Sequence, residues 1–114
     1  MFNLEIGGEN FKLRLTTRAG IALEQKLGYN PVMVFTRTDF DKGMLPKVSD
    51  MMIIFHAMLQ AQHHGFTLDK TYDLFDRYVE DGHNLYDLLP IFIEVFQNAG
   101  LINKVEEEEA VEKN

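Results

Sequence analysis

The sequence contains no cysteine. Disulfides, cysteine-ligated zinc, iron–sulfur clusters and a thiol nucleophile are therefore excluded. It also lacks a long apolar run, because the longest, Met51 to Phe55, is too short to cross a bilayer. Residues 1–5 show neither the basic nor the apolar segment of a signal peptide. Since 46% of the residues are hydrophobic, the composition is that of a folded domain. Together these features predict a small, soluble, intracellular protein.

Positive charge is scarce in the second half of the chain. The 114 residues carry a net charge of -7, which repels phosphate backbones, so we expect no nucleic-acid partner and no membrane partner. Residues 1–48 hold seven Lys/Arg and five Asp/Glu, whereas residues 49–114 hold four Lys/Arg and thirteen Asp/Glu. This polarity predicts attraction between the two halves, or between neighbouring copies arranged head to tail.

The hydrophobic pattern predicts a mainly α (α+β) fold, in which an N-terminal β-hairpin packs on a bundle of about five helices. Apolar and polar residues alternate over 2–6 and 11–15, and Gly7-Gly8 lies between them, as in a hairpin. Capping residues and glycines divide the remainder into helices over residues 17–27, 31–38, 50–64, 68–81 and 85–99. We expect one globular domain over 1–102 and a flexible acidic tail over 103–114.

Short polar residues mark the helix starts. The predicted N-caps are Thr16 or Thr17, Asn30, Ser49, Thr67 and Asn84. Pro90 lies inside the last helix and is expected to kink it, or to begin its longer piece. Residues 39–48 are predicted to form a loop, because Gly43 and Pro46 interrupt both the helical and the strand periodicity of apolar residues. Phe40, Met44 and Leu45 make this loop unusually apolar.

No pattern of catalytic residues is present. Ser49 is the only serine and reads best as a helix cap, and no nucleophile motif surrounds it. His56, His63 and His64 share a predicted helix, but their spacing is poor for a metal and no further ligand completes a site. A polar stripe at the exposed end of the helix is the alternative explanation. We therefore expect no enzyme activity, no cofactor and no metal.

Two groups of residues are candidates for binding a partner. The first is the apolar helix 50–64, whose methionines adapt to varied surfaces. The second is a straight stripe of carboxylates at i, i+4, i+7 and i+11. The candidate residues are Met51, Met52, Phe55 and Met58 in the first group, and Asp69, Asp73, Asp76 and Glu80 in the second. Core filling and a solvated helix face, respectively, are the alternatives for the two groups.

An ordered set of short segments resembles a known family. The segments are KLRLTTRA at 12–19, LEQKLGYNP at 23–31, LQ at 59–60 with HHG at 63–65, YDLFD at 72–76, and LP at 89–90 with EVFQ at 94–97. Over about residues 11–102 the chain resembles tail assembly chaperones of long-tailed, siphovirus-type phages or prophages of Gram-positive bacteria. No single segment among them is catalytic or unique to that family.

The resemblance implies a non-catalytic role in viral morphogenesis. Such a protein binds the tape-measure protein in the host cytoplasm, helps the tail-tube protein polymerise around it, and is absent from the mature virion. An adaptable apolar surface together with a net negative charge suits that role, and self-association through the polar halves is a further hypothesis. The alternative function is an acidic regulatory or DNA-mimic protein that uses the carboxylate stripe to bind a basic site on a host protein.

Overall fold

The chain opens with a two-stranded antiparallel hairpin. In the computed structural model, which describes residues 1–103, β1 (Phe2–Ile6) pairs with β2 (Glu9–Leu13). Gly7 and Gly8 form the turn with φ angles of 59° and 82°. A two-residue turn of type I′ needs positive φ at both positions, which glycine adopts without steric cost. Buried side chains alternate along both strands, so the predicted hairpin is confirmed.

Five α-helices follow within the described residues, as predicted. They are α1 (Thr17–Leu27), α2 (Met33–Thr36), α3 (Val48–Gln60), α4 (Leu68–Glu80) and α5 (Leu88–Asn98). Short 3₁₀ helices occupy Phe40–Lys42 and Leu85–Asp87. α3 lies at the centre, in contact with α1, α4, α5 and β2, while β1 packs on α4 and α5. The hairpin thus covers one end of a helical bundle built around α3.

The core is continuous from the hairpin to α5. Of all the elements, α3 contributes the most buried side chains to this core, because apolar residues cover most of the circumference of the helix. Two aromatic contacts tie α5 to the rest: Phe92 lies 6.1 Å from Phe55, and Phe96 meets Phe35 edge-on at 5.0 Å between ring centroids. These rings anchor the last helix on α3 and α2.

Three of the predicted helix caps are confirmed by side-chain hydrogen bonds. Thr16 accepts from the Ala19 N–H, and Thr67 accepts from the Lys70 N–H, each at 3.1 Å. Asn84 forms a reciprocal capping box at the start of the 3₁₀ turn that leads into α5. Each side-chain oxygen pairs with an N–H that has no partner inside the helix.

The predicted cap at Ser49 is wrong. α3 begins two residues earlier than predicted, at Val48, and Lys47 occupies the cap position in an extended conformation without a side-chain hydrogen bond. The Lys47 carbonyl accepts from the Met51 N–H at 3.0 Å, so the first helical hydrogen bond forms before Ser49 is reached. Ser49 therefore lies inside the first turn.

The end of α3 and the length of α2 also differ from the prediction. α3 ends at Gln60 rather than His64, because residues 61–66 turn back and bond to α3 and β2. Asn30 accepts from the Val32 N–H at 3.0 Å, yet residues 31–32 form a turn and α2 covers only residues 33–36. The last segment is split, as one of the two expectations for Pro90 had it, but its longer piece begins at Leu88, so Pro90 lies within the first turn of α5, where no intrahelical donor is needed.

The end of α5 closes with Gly100 at φ 80°, and the Leu101 N–H bonds back to the Phe96 carbonyl at 3.0 Å. The predicted domain boundary at residue 102 falls just beyond this turn. Apart from Asn103, the predicted acidic tail lies outside the described residues. Over residues 1–103, none of the helices combines the length and the apolar character that crossing a membrane demands.

Candidate functional site

The predicted apolar partner surface on α3 is corrected by the structure. Its four residues are at most 4% exposed; they are Met51, Met52, Phe55 and Met58. α1, α4, α5 and the hairpin surround α3, so these side chains fill the core. The structure therefore agrees with the alternative explanation of this apolar helix, which was core filling. The four residues offer no contact area to a partner.

The acidic stripe lies on the outer face of α4. Its four carboxylates are all exposed, and none pairs with a cation of the described chain; they are Asp69, Asp73, Asp76 and Glu80. The opposite face of α4 is buried through Thr71, Leu74 and Tyr78. The stripe is therefore accessible along its whole length.

A cleft of about 470 Å³ opens on another side of the molecule. We call it the 39–48 cleft, because the loop that follows α2 forms one of its walls. The C-terminal end of α1, helix α2 and the first turn of α3 form the others. Its apolar lining includes Leu27, Met33, Val34, Met44, Leu45 and Pro46. The volume is enough for one aromatic or two aliphatic side chains of a partner.

Polar groups meet at one end of this cleft. The Tyr29 hydroxyl donates to Asp50 Oδ2 at 2.7 Å, and the Arg37 guanidinium lies 5.8 Å from the centre of the Tyr29 ring. Burial, followed by the hydrogen bond to Asp50, raises the pKa of Tyr29 to about 12. Lys47 lines the same wall. The Asp50 carboxylate keeps its negative charge while it accepts this hydrogen bond, and the two cations Arg37 and Lys47 outnumber it in the lining of the cleft.

The loop beside the cleft exposes apolar side chains to an unusual degree. Phe40, Met44, Leu45 and Val48 are each between 47% and 60% exposed. The loop is nevertheless ordered: Asp39 and Met44 pair through two backbone hydrogen bonds of 2.8 and 2.9 Å, and the Phe40 ring contacts Tyr86 at 5.3 Å. A fixed loop that presents apolar groups to solvent is typical of a protein-binding surface.

Two of the three histidines in α3 and its following turn, His56 and His63, have structural partners. His56, only 7% exposed, forms a 2.7 Å hydrogen bond between Nε2 and the Phe66 carbonyl, so the predicted exposed stripe is wrong at this position. His63 Nε2 accepts from the Lys12 N–H at 3.2 Å and ties the turn to β2. Within residues 1–103, no three side chains of the metal-ligating types are close enough to hold an ion.

The buried tyrosine on α4 also belongs to the structural framework. Tyr78 stacks on His83 with 4.4 Å between ring centroids. Burial and the nearby Asp87 carboxylate raise the pKa of Tyr78. Its ring is 2% exposed and faces the core, so it lines no cleft.

Sequence reasoning missed the polar half of the 39–48 cleft. The apolar residues Phe40, Met44 and Leu45 were visible as an anomaly in the loop. The convergence of Tyr29, Arg37 and residues 47–50 depends on the chain reversal between α1 and α3, which no local pattern encodes. Only the run of polar and aromatic groups around Pro31 hinted at a structured turn.

The fold and its surfaces define a small α+β protein with one hairpin, a helical bundle and an open, partly apolar cleft. The chain belongs to DUF6096, a family of unknown function, whose model matches residues 2–114. The chain matches no curated protein and no solved structure.

Proposed function

We propose that this protein is a non-catalytic phage tail assembly chaperone that binds the tape-measure protein and assists tail-tube assembly around it. The observation that carries the proposal is the exposed apolar loop 39–48 beside an open cleft. The assignment to tail assembly is supported by the ordered segments between residues 12 and 97 that resemble that family. The protein would act in the host cytoplasm and leave before the virion is complete.

The chemistry of the 39–48 cleft suits such a client. A tape-measure protein is long and helical, and its apolar side chains need cover until the tube encloses them. Met33 and Met44 are unbranched and polarizable, so they adapt to different apolar side chains. The net charge of -7 opposes aggregation of the complex.

Co-expression with the cognate tape-measure protein tests the proposal. The wild-type chain should raise the soluble fraction of the client, and the variant Met44→Ser/Leu45→Ser should lose most of that effect. Ile21→Ser is the matched control, because Ile21 is equally exposed but lies on α1 away from the loop. The proposal fails if the client is equally insoluble with and without the chain, or if the control loses the effect as strongly as the loop variant.

A second candidate function rests on the exposed stripe of α4. Four carboxylates in a straight row resemble the charge pattern of a phosphate backbone, which an acidic regulatory or DNA-mimic protein presents to a basic site on a host protein. Replacing Asp69, Asp73 and Asp76 by Asn and Glu80 by Gln, or raising the salt concentration, should abolish binding by a mimic. Client binding through the apolar loop should largely survive both changes.

A further inference from the structure

We propose that this protein associates head to tail, with the outer face of α4 in one copy docked into the 39–48 cleft of a second copy. The inference concerns the protein alone and does not rest on the proposed function, although the second copy would occupy the same cleft as the proposed client. It rests on two complementary surfaces of the same chain that cannot satisfy each other within one molecule.

The outer face of α4 carries more than charge. Tyr72 and Val79 are 43% and 46% exposed, although both are apolar groups on an otherwise ordinary helix. Together with the carboxylates they occupy positions i, i+3, i+4, i+7, i+10 and i+11, which share one face of a helix. We call this face the acidic ridge: Asp69, Tyr72, Asp73, Asp76, Val79 and Glu80. It extends over about 16 Å.

The 39–48 cleft has the opposite character at the matching positions. Its floor and loop wall are apolar. Three charged residues line it: Arg37 and Lys47 are exposed cations, whereas Asp50 is half-buried and accepts a hydrogen bond from Tyr29. Neither cation pairs with a carboxylate in the part of the chain that the structure covers. A cleft of about 470 Å³ does not admit a whole helix, but it admits the ring of Tyr72 or the side chain of Val79. The flanking carboxylates of the ridge then meet the two cations.

Geometry prevents a single copy from making this contact. α1 and α4 both pack on α3, but they do so at different places and share no extensive contact. The cleft is built on α1, α2 and the start of α3, whereas the ridge faces outward from α4. The interaction therefore joins different surfaces of two copies. Such a heterologous contact leaves one ridge and one cleft free at the ends, so it produces chains or closed rings rather than symmetric dimers.

The small size of the surfaces sets the expected strength. A ridge of about 16 Å covers less area than the roughly 800 Å² per partner of a standard stable interface. We therefore expect a weak, reversible association that grows with concentration and weakens with salt, since part of it is electrostatic. Sedimentation velocity over a series of protein concentrations, at low and high salt, measures it directly.

Two charge-reversal variants provide the decisive test. The cleft variant is Arg37→Glu/Lys47→Glu, and the ridge variant is Asp73→Lys/Asp76→Lys. All four positions are exposed, so circular dichroism should show wild-type folding. The association of each variant alone should be weaker than that of the wild type by about tenfold or more. An equimolar mixture should regain association, because it contains an intact ridge with an intact cleft and a reversed ridge with a reversed cleft.

Matched controls change the net charge equally at other exposed positions. Lys12→Glu/Arg18→Glu controls for the cleft variant, and Glu5→Lys/Glu94→Lys controls for the ridge variant. The inference predicts wild-type association for the second control and at most a small general charge effect for the first. It is overturned if the wild type stays monomeric at the highest concentration, if the controls weaken association as much as the variants, or if the mixture fails to restore it.

The apolar part of the contact is tested separately by Tyr72→Ser and Leu45→Ser. Both side chains are exposed, so neither substitution opens a core cavity. Each should weaken association severalfold without changing its salt dependence. An unchanged association in both variants would contradict the docking of Tyr72 into the cleft.

Discussion

The hairpin turn is fixed at a single residue, Gly7. Its N–H donates to Asp81 Oδ2 at 2.7 Å, at the end of α4. Arg77 Nη2 lies on the other side and donates to the Ile6 carbonyl and to Glu9 Oε1, each at 3.3 Å. A Cβ added at Gly7 would lie 2.5 Å from Arg77 Nη2, at a φ of 59° that residues with side chains rarely adopt.

Gly7→Ala should therefore destabilise the protein by about 2 kcal/mol, because the added Cβ moves the Arg77 guanidinium off its hydrogen bonds to Ile6 and Glu9 and also strains the backbone. Gly8→Ala is the matched control, since its φ is also positive but no atom lies within 4 Å of the added Cβ. Gly8→Ala should lower the free energy of unfolding only by the backbone strain, about 1 kcal/mol. Urea unfolding of both variants measures the difference, and an equal or larger loss for Gly8→Ala would refute the role of Arg77.

Tyr29 makes stability depend on pH at the alkaline end. Its pKa is about 12 in the folded protein against an ordinary value of 10.0, so folding favours the protonated hydroxyl. This contribution is fully present below pH 10 and is lost as the pH rises through 12. The variant Tyr29→Phe should lose the tyrosinate absorbance component that titrates near 12 and should flatten the decline of unfolding free energy over that range. Loss of a component that titrates near 10 instead would contradict the hydrogen bond to Asp50.

At the scale of the element, the methionines of α3 are buried in the core, whereas Met44 in the preceding loop is exposed. Met58 is completely buried in the core, so Met58→Ala should destabilise the protein by about 2–5 kcal/mol. Met44 is 47% exposed, so Met44→Ala should change stability by no more than about 0.5 kcal/mol. Binding should show the reverse order, with the larger loss at Met44. Chemical denaturation and client solubility, measured on the same two variants, test both halves of this prediction.

The elements could be predicted from sequence wherever a signal is local. Thr16, Thr67 and Asn84 bond to N–H groups two or three residues away, and spacing reveals such caps directly. The end of α3 could not be predicted, because the following turn is held by distant groups. His63 there meets the backbone of Lys12, 51 residues away in sequence.

The burial of α3 was ambiguous for a similar reason. A helix that is apolar on nearly all sides is covered either by its own domain or by a partner. The answer depends on how α1, α4, α5 and the hairpin pack around it, which is a property of the whole topology. The stripe of four carboxylates was easier to predict, since an amphipathic helix with a buried face at Leu74 and Tyr78 exposes the opposite face wherever it packs.

Across the whole molecule, cations outnumber carboxylates in the lining of the 39–48 cleft, whereas the charged residues of the ridge are all carboxylates. The uneven distribution of Lys/Arg and Asp/Glu between residues 1–48 and 49–114 indicated this polarity. The position of the cleft could not be predicted, because Tyr29, Arg37 and Lys47 meet only after the chain reverses at Pro31 and again at Gly43. The distribution of charge along the chain, and not the net charge, thus predicted attraction between copies, while the contact surfaces required the fold.

The proposed client and the second copy would use the same cleft, which makes their binding competitive. Saturating tape-measure protein should therefore reduce self-association about tenfold or more, because a ligand that occupies the cleft removes it from the equilibrium. The ridge variant Asp73→Lys/Asp76→Lys should still bind the client while failing to self-associate, since its cleft is intact. Leu45→Ser should weaken both interactions.

Sedimentation of the protein with and without purified client separates the two proposals. If self-association persists and the client does not bind, the head-to-tail contact stands and the chaperone function falls. If the client binds and no self-association is found, the reverse holds. If both occur but do not compete, the client contacts another surface, and the 39–48 cleft belongs to the second copy alone. Competition would mean that the apolar loop of one copy is covered by the acidic ridge of a second copy until a client arrives.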